Sequence, residues 1–292
     1  MIVVTTPTGH IGQHVVRSLL DSGEPLRLIA RDPTKLPSAF LDRTEVVAGS
    51  HGDAGTIDRA LSGADAVFWL CPPTPVATPA AATVEFTRPG AAAIARHGLR
   101  HVVVVTNLGR DTAWQDRAGM VTASIAMVDL LRATGASVRG LALPALMDNA
   151  LQQVEAIRQG QMFGPIDPDR GLPHVASTDV GEAAAQFLTD RSWEGQEDVP
   201  VVGPENYSYR ELAAIISEVL GTEVHYQQIA LDILKKQFMA RGMAESFAQG
   251  MIDMFHAKNE GMDNVAPPVS GIIGQTSFQQ WARDKLRPAV AA

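Results

Sequence analysis

The chain has 292 residues, 46% hydrophobic and 19% charged, which suits one large packed domain, with or without an appendage, and excludes disorder. The net charge of −8 argues against a nucleic-acid partner, because a phosphate backbone needs clustered Lys and Arg. The single cysteine, Cys71, rules out an internal disulfide and fits a reducing compartment. With no evident signal peptide and no apolar run of membrane-spanning length, a cytoplasmic protein without a membrane partner is expected.

Strand and helix signals alternate through the first half. Ile2–Thr5 is a short β-branched run, and 11–22 carries apolar residues at 11, 15, 16, 19 and 20, which is helical spacing closed by Gly23. Strands follow at 26–30, 45–48, 66–70, 102–106 and 137–142, with helices at 57–61, 80–96 and 125–133. Short apolar strands without polar alternation, each followed by a helix, imply parallel pairing with helices on both faces. Beyond Pro144 the pattern changes to helices at 150–158, 179–189, 209–220 and one or two within 231–258, with an edge strand at 200–202. The fold expected is therefore α/β: a doubly wound, Rossmann-like parallel sheet with a smaller, mostly helical C-terminal substrate cap. Residues 1–149 would form the dinucleotide-binding domain, its core completed by parts of 174–203, and 150–292 the cap.

The first strand–helix junction reads Thr6-Pro7-Thr8-Gly9-His10-Ile11-Gly12. Glycines there let the backbone approach a pyrophosphate, and the helix N-terminus offers free N–H groups and a positive dipole end. Thr6 stands where the usual pattern has its first glycine; a tight turn without a ligand is the plain alternative. Cofactor contacts are expected from Thr6, Thr8, Gly9, His10, Ile11 and Gly12, and from the ends of later strands at Leu70, Cys71, Pro72, Thr106 and Asn107.

The junction resembles that of the NmrA-like, atypical short-chain dehydrogenases/reductases. The resemblance continues through Arg31-Asp32-Pro33-Thr34-Lys35, Asp65 to Leu70, Leu130 to Gly135, Ser177 to Gly181 and Gly203-Pro204-Glu205. It implies a nucleotide-binding fold and names no substrate. At the end of the second strand a carboxylate would bind the ribose hydroxyls of NAD, and an Arg the 2′-phosphate of NADP. Arg31 stands there, with Lys35 as a second charge, and in the family the matching Arg implies NADP(H) in preference to NAD(H). Asp32 is the rival residue, favouring NAD if it faces the ribose.

The Tyr and Lys pair by which short-chain reductases protonate a carbonyl is absent from its usual place. All three tyrosines lie in the second half, no lysine occurs between Lys35 and Lys235, and the relevant helix reads Met120 to Met127 without either. No catalytic residue is assigned; Asn107 and His174, the latter in a loop the family places near the cleft, are the candidates. Asn149 matches an Asn after the family's sixth strand, in a structural role. Cys71 is a pocket-lining residue or a reactive thiol. Segments 72–79 and 108–119 flank one cleft edge as a lid or as solvated loops, and 238–255 is either an apolar pocket wall or core. The paired histidines lack a third ligand, so no metal is expected.

The leading expectation is an NADP(H)-dependent oxidoreductase acting on a hydrophobic small molecule, such as a quinone or polycyclic enone, without the Tyr and Lys pair. The alternatives are a non-catalytic NADP(H) sensor and a non-redox enzyme on the same fold, and a homodimer is open for either.

Overall fold

The computed structural model describes every residue except Pro73, Val76 and 265–270. The first half runs β1 (Ile2–Thr5), α1 (Gly12–Ser22), β2 (Leu26–Ala30), α2 (Ser38–Leu41), β3 (Glu45–Ala48), α3 (Ala54–Leu61), β4 (Ala66–Trp69), α4 (Phe86–His97), β5 (His101–Asn107), α5 (Met120–Arg132) and β6 (Ser137–Leu143). It continues with β7 (Ala145–Leu146), α6 (Val154–Arg158), β8 (Gln161–Gly164), β9 (Leu172–Val175), α7 (Ser177–Thr189), β10 (Gln196–Val202), β11 (Asn206–Tyr207), α8 (Tyr209–Leu220) and β12 (His225–Gln228). The last elements are α9 (Leu231–Ala240), α10 (Glu245–Asn259), β13 (Ile272–Ile273), α11 (Phe278–Trp281) and α12 (Arg287–Ala291).

Eight parallel strands form one sheet in the order β13-β10-β6-β5-β4-β1-β2-β3. The period of two along each strand sends neighbours to opposite faces. Val4, Phe68, Val103 and Leu141 meet Val15, Leu19, Val180 and Leu188 of α1 and α7, while Val3, Val67, Trp69 and Val104 meet Ile57, Ile94, Met127 and Leu131 of α3, α4 and α5. All of these side chains are 0–2% exposed, and each contributes roughly 1.5–3 kcal/mol relative to exposure. The chain runs outward from β1 to β3 and returns to β4 on the other side of β1. The crevice at this reversal, beyond the strands' C-terminal ends, is where open α/β sheets hold ligands.

Two differences from the sequence reading bear on the site. The strand expected at an edge over 200–202 is longer, Gln196–Val202, and lies inside the sheet between β6 and β13. Pro200 is tolerated there because β13 pairs only with Val201 and Val202. The second half also carries the small sheets β11-β9-β7 and β12-β8, too short for periodicity to announce. They frame a separate core of Met147, Ile157, Met162, Leu212, Ile216, Phe278 and Trp281. No helix among the described residues is long and apolar enough to cross a membrane.

Candidate functional site

β1 delivers the chain to the crevice, and Thr6 turns it by adopting a left-handed backbone, φ 49°. The Thr6 carbonyl then accepts the Gly9 amide at 3.0 Å, winding the loop beneath the start of α1. A Cβ on Gly12 would lie 2.0 Å from that carbonyl oxygen, and one on Gly9 3.3 Å from it. The amides of His10 and Ile11 donate to no group among the described residues, and the buried Thr6 Oγ1 has no partner there either. Thr8 is exposed beside them. A tight cradle, free amides and an unpartnered hydroxyl fit a dinucleotide pyrophosphate.

The next strand ends converge on the same crevice. Thr5 Oγ1 accepts the Leu70 amide at 2.9 Å and donates to Phe68 O at 3.0 Å, locking β1 to the end of β4. His51 Nε2 meets the Leu70 carbonyl at 3.1 Å, with Trp69 and Phe86 edge-on to its ring. Burial lowers the His51 pKa to about 4, so the ring is a neutral prop. Cys71 Sγ donates to Ala82 O at 3.1 Å, and burial pushes its thiol up to about 12, which disfavours the thiolate near neutral pH. Pro72 beside it is half-buried; Pro73 and Val76 of the proline-rich loop lie outside the described residues.

At the end of β2, Arg31 is exposed and makes no ion pair among the described residues. Its rival is committed elsewhere: Asp32 Oδ1 accepts Thr34 N at 3.1 Å and Thr34 Oγ1 at 2.6 Å, and these bonds hold the carboxyl below the usual range. Lys35 Nζ, largely exposed, lies 3.9 Å from Asp32 Oδ2.

Thr106 and Asn107 close β5. The Thr106 hydroxyl is buried against Ser124 Oγ of α5 at 2.9 Å, so it is committed inside the fold. Asn107 opens onto a cavity of about 370 Å³ at the C-terminal ends of β5, β6 and β10. Ala142, Pro173, Pro200, Val202 and Met262 make its wall largely apolar, and Asp263 and Asn206 add polar points. Beyond β11 the cavity takes only Met262, Asp263 and Asn264, and nothing from 238–255, where Phe247, Ala248 and Gly250 are buried as packing. A wider depression of about 590 Å³ lies at the opposite end of the sheet, by His101 and Ser137, away from the glycine loop.

His174 is corrected. It lies on strand β9 and not in a loop, is 3% exposed, and gives Nδ1 to Leu172 O at 3.0 Å. Burial, with Lys258 nearby, lowers its pKa to about 4, so near neutrality the ring is uncharged and its one N–H is held by Leu172 O. None of the tyrosines substitutes: Tyr207 is bonded to Glu205, Tyr226 gives its hydroxyl to Ile166 O at 2.8 Å, and burial raises the Tyr209 pKa to about 12.

The residue the sequence reading missed is Asp148. Asn149, singled out instead, is exposed, whereas Asp148 is buried and accepts Ser177 N at 3.2 Å and Ser177 Oγ at 2.7 Å, capping α7. Its Oδ1 lies 3.5 Å from His10 Nδ1, bridging the glycine loop to the second half. Only a pairing across the whole first half reveals this; no local spacing signals it. The two suspected lid segments are both pinned by α10. Pro75 O accepts Ala244 N at 2.9 Å, Gly119 packs so closely on Gly250 that a Cβ would come 2.1 Å from its carbonyl, and Trp114 lies edge-on to His256.

Comparison with known proteins supplies the context. A model of the NmrA-like family matches residues 1–277. The chain is 29% identical to the (4-alkanoyl-5-oxo-2,5-dihydrofuran-3-yl)methyl phosphate reductase of Streptomyces griseus, over 97% of each chain. It is 27% identical to the NAD(P)H azoreductase of Xenophilus azovorans, again over 97% of each. Among solved structures, the triphenylmethane reductase of Citrobacter sp. complexed with NADP(H) shares the fold, with TM-score 0.79 and 19% identity over 97% of this chain and 99% of that one.

Proposed function

The chain belongs to the NmrA-like family, and from that premise we propose that it is an NADPH-dependent reductase of a hydrophobic, ring-bearing small molecule. The observation that carries this reading is the Thr6–Gly12 cradle, with its free His10 and Ile11 amides, on the same strand-end crevice as an apolar cavity reached through Asn107. Reductase names among the relatives support it.

In this reading the Thr6–Gly12 backbone and the N-terminus of α1 hold the pyrophosphate. Arg31, assisted by Lys35, pairs with the 2′-phosphate, and Asp32, with one of its carboxylate oxygens already holding Thr34, is the weaker partner for the ribose. Leu70, Cys71, Pro72 and Asn107 line the nicotinamide half, and Thr106, expected there too, is instead buried beneath it against Ser124. The cofactor supplies hydride when bound. The chain's part is to position the acceptor: Ala142, Pro173, Pro200, Val202 and Met262 clear water from one face of a flat ring, and Asn107 orients its oxygen or nitrogen. With Tyr207, Tyr209 and Tyr226 committed elsewhere, the favoured acceptors are those that delocalise charge after hydride arrives, namely quinones, conjugated enones and azo compounds, with solvent supplying the proton.

The test is titration with NADPH and NADH, followed by stopped-flow oxidation of the NADPH complex by a panel of quinones and enones. NADPH binding roughly tenfold tighter than NADH, with turnover of at least one acceptor, is the expected result. Tight binding without any turnover overturns the reductase reading in favour of a dinucleotide sensor.

A further inference from the structure

The glycine loop carries a side chain that the cofactor reading, built on backbone amides, does not use. His10 has a free amide, and its side chain is 60% exposed, so its ring is within reach of a bound molecule. Its Nδ1 lies 3.5 Å from Oδ1 of Asp148, whose side chain is only 11% exposed and whose Oδ2 is taken by Ser177 N and Oγ. With Nδ1 turned to Asp148, Nε2 is left on the other side of the ring and has no partner among the described residues.

A carboxylate at this point works against an anion site unless a cation stands beside it. Covalent geometry keeps a histidine Nδ1 within about 4.5 Å of its own amide nitrogen, so Asp148 Oδ1 lies within about 8 Å of the His10 amide. Two anions at that separation still repel, because it does not exceed the Debye length in physiological salt. The neighbours do not offset the charge. His14, one turn along α1, lies 3.4 Å from Thr178 Oγ1 of α7, and burial, then Lys285 and Arg17, hold its pKa below the usual value, so it is neutral near pH 7. Arg17 and Lys285 are exposed, and among the described residues neither pairs with Asp148. That leaves the His10 ring, and imidazole is the side chain that gains a charge near neutrality.

We propose that His10 is a protonatable bridge in the nucleotide site: as imidazolium it gives Nδ1–H to Asp148 and Nε2–H to the dinucleotide pyrophosphate, so that binding takes up a proton. Asp148 is then the positioning residue of the ring. The proposal rests on the reading of Thr6–Gly12 as the cradle of that pyrophosphate. The diphosphate adds negative charge beside the ring, so the bound form holds the proton more tightly than the free form. Affinity is therefore full where the ring is already charged in the free protein, falls as pH rises, and levels off once the bound ring is neutral too. At high pH the neutral ring no longer screens Asp148 from the diphosphate. A unit charge about 6 Å away at a half-exposed site changes affinity about tenfold.

The test is calorimetric titration of the full chain with NADP⁺ at about pH 6 and about pH 8.5, for the wild type, His10→Gln and Asp148→Asn. Between the two pH values the wild type loses about tenfold more affinity than His10→Gln, whose side chain cannot be charged. Titration of the 2′-phosphate is common to both proteins and cancels in the comparison. Asp148→Asn still accepts from Ser177 at the start of α7. It binds NADP⁺ about threefold tighter than the wild type at pH 8.5, because the repulsion is gone, and its pH profile is flatter. A carboxylate with a structural role alone gives weaker binding at every pH. An unfolding transition checks that both variants fold. Parallel profiles for the wild type and His10→Gln, or Asp148→Asn binding more weakly than the wild type at pH 8.5, overturn the bridge and, with NADP⁺ still bound tightly, leave the cradle standing. No binding of NADP⁺ by the wild type at either pH removes the cradle reading and the bridge with it.

Discussion

Gly12 sits directly beneath the carbonyl of Thr6: a Cβ at position 12 would come within 2.0 Å of that oxygen, closer than any packing tolerates. The carbonyl cannot retreat easily, because it also accepts the Gly9 amide and belongs to a residue already in the left-handed region. Gly12→Ala is therefore expected to cost about 1–3 kcal/mol in urea unfolding and to weaken NADPH binding more than tenfold. Gly9→Ala, whose Cβ would lie 3.3 Å from the same oxygen, should do markedly less. Equal effects from both substitutions would sink this account of the junction.

Arg31 and Asp32 are adjacent and differ in what they already hold. Arg31→Ala should raise the NADPH dissociation constant roughly tenfold and leave that of NADH nearly unchanged, since only the 2′-phosphate is lost as a partner. Asp32→Ala removes the two bonds from Thr34 and should loosen the turn without altering the ratio of the two affinities. A change of nucleotide preference in the Asp32 variant, with none in the Arg31 variant, would mean that the carboxylate reads the ribose.

Two buried histidines tie stability to pH. His51 and His174 are each shifted from 6.5 to about 4 in the fold, so the unfolded chain binds the protons first. Stability is then full above about pH 6.5, declines as pH falls from there towards about 4, and changes no further through these groups below that. At roughly 1.4 kcal/mol per unit, each contributes at most about 3 kcal/mol to the loss. His174→Gln, which keeps a donor for Leu172 O, should lose less stability than the wild type between pH 7 and pH 5 in parallel urea titrations. Parallel pH profiles for the two proteins would contradict the burial of that ring.

Cys71 offers a simple chemical check. A thiol raised to about 12 presents almost no thiolate at pH 8, so iodoacetamide should label the native protein at least about a hundredfold more slowly than the urea-unfolded chain. Labelling at comparable rates would show the sulfur to be open to solvent.

How far the fold was legible in the sequence follows from where its information lies. Helix α8 was readable to the residue because its signals are local: Ser208 and Glu211 form a capping box and Gly221 ends it at φ 72°. The glycine junction was readable because a strand, a turn and a helix occur there in unbroken order. β10 was read too short and placed at an edge, because its partners Ser137–Leu143 and Ile272–Ile273 lie far away in the chain and its polar start, Gln196-Glu197-Asp198, lacks a buried-strand pattern. Asp148 and the Lys258–Asp263 pair were invisible for a related reason: what makes them notable is burial and a partner, and neither leaves a periodic mark.

The position of β13 also has a consequence for biosynthesis. Its pairing with Val201 and Val202 completes the outer margin of the main sheet, yet it leaves the ribosome only after the whole of 203–271 has been made. Throughout that interval the nascent chain presents the end of β10 as an unprotected sheet edge, open to pairing with another chain. Crowded polysomes making this protein should therefore be most vulnerable to aggregation late in translation, after the nucleotide-binding strands have formed and before their last neighbour arrives.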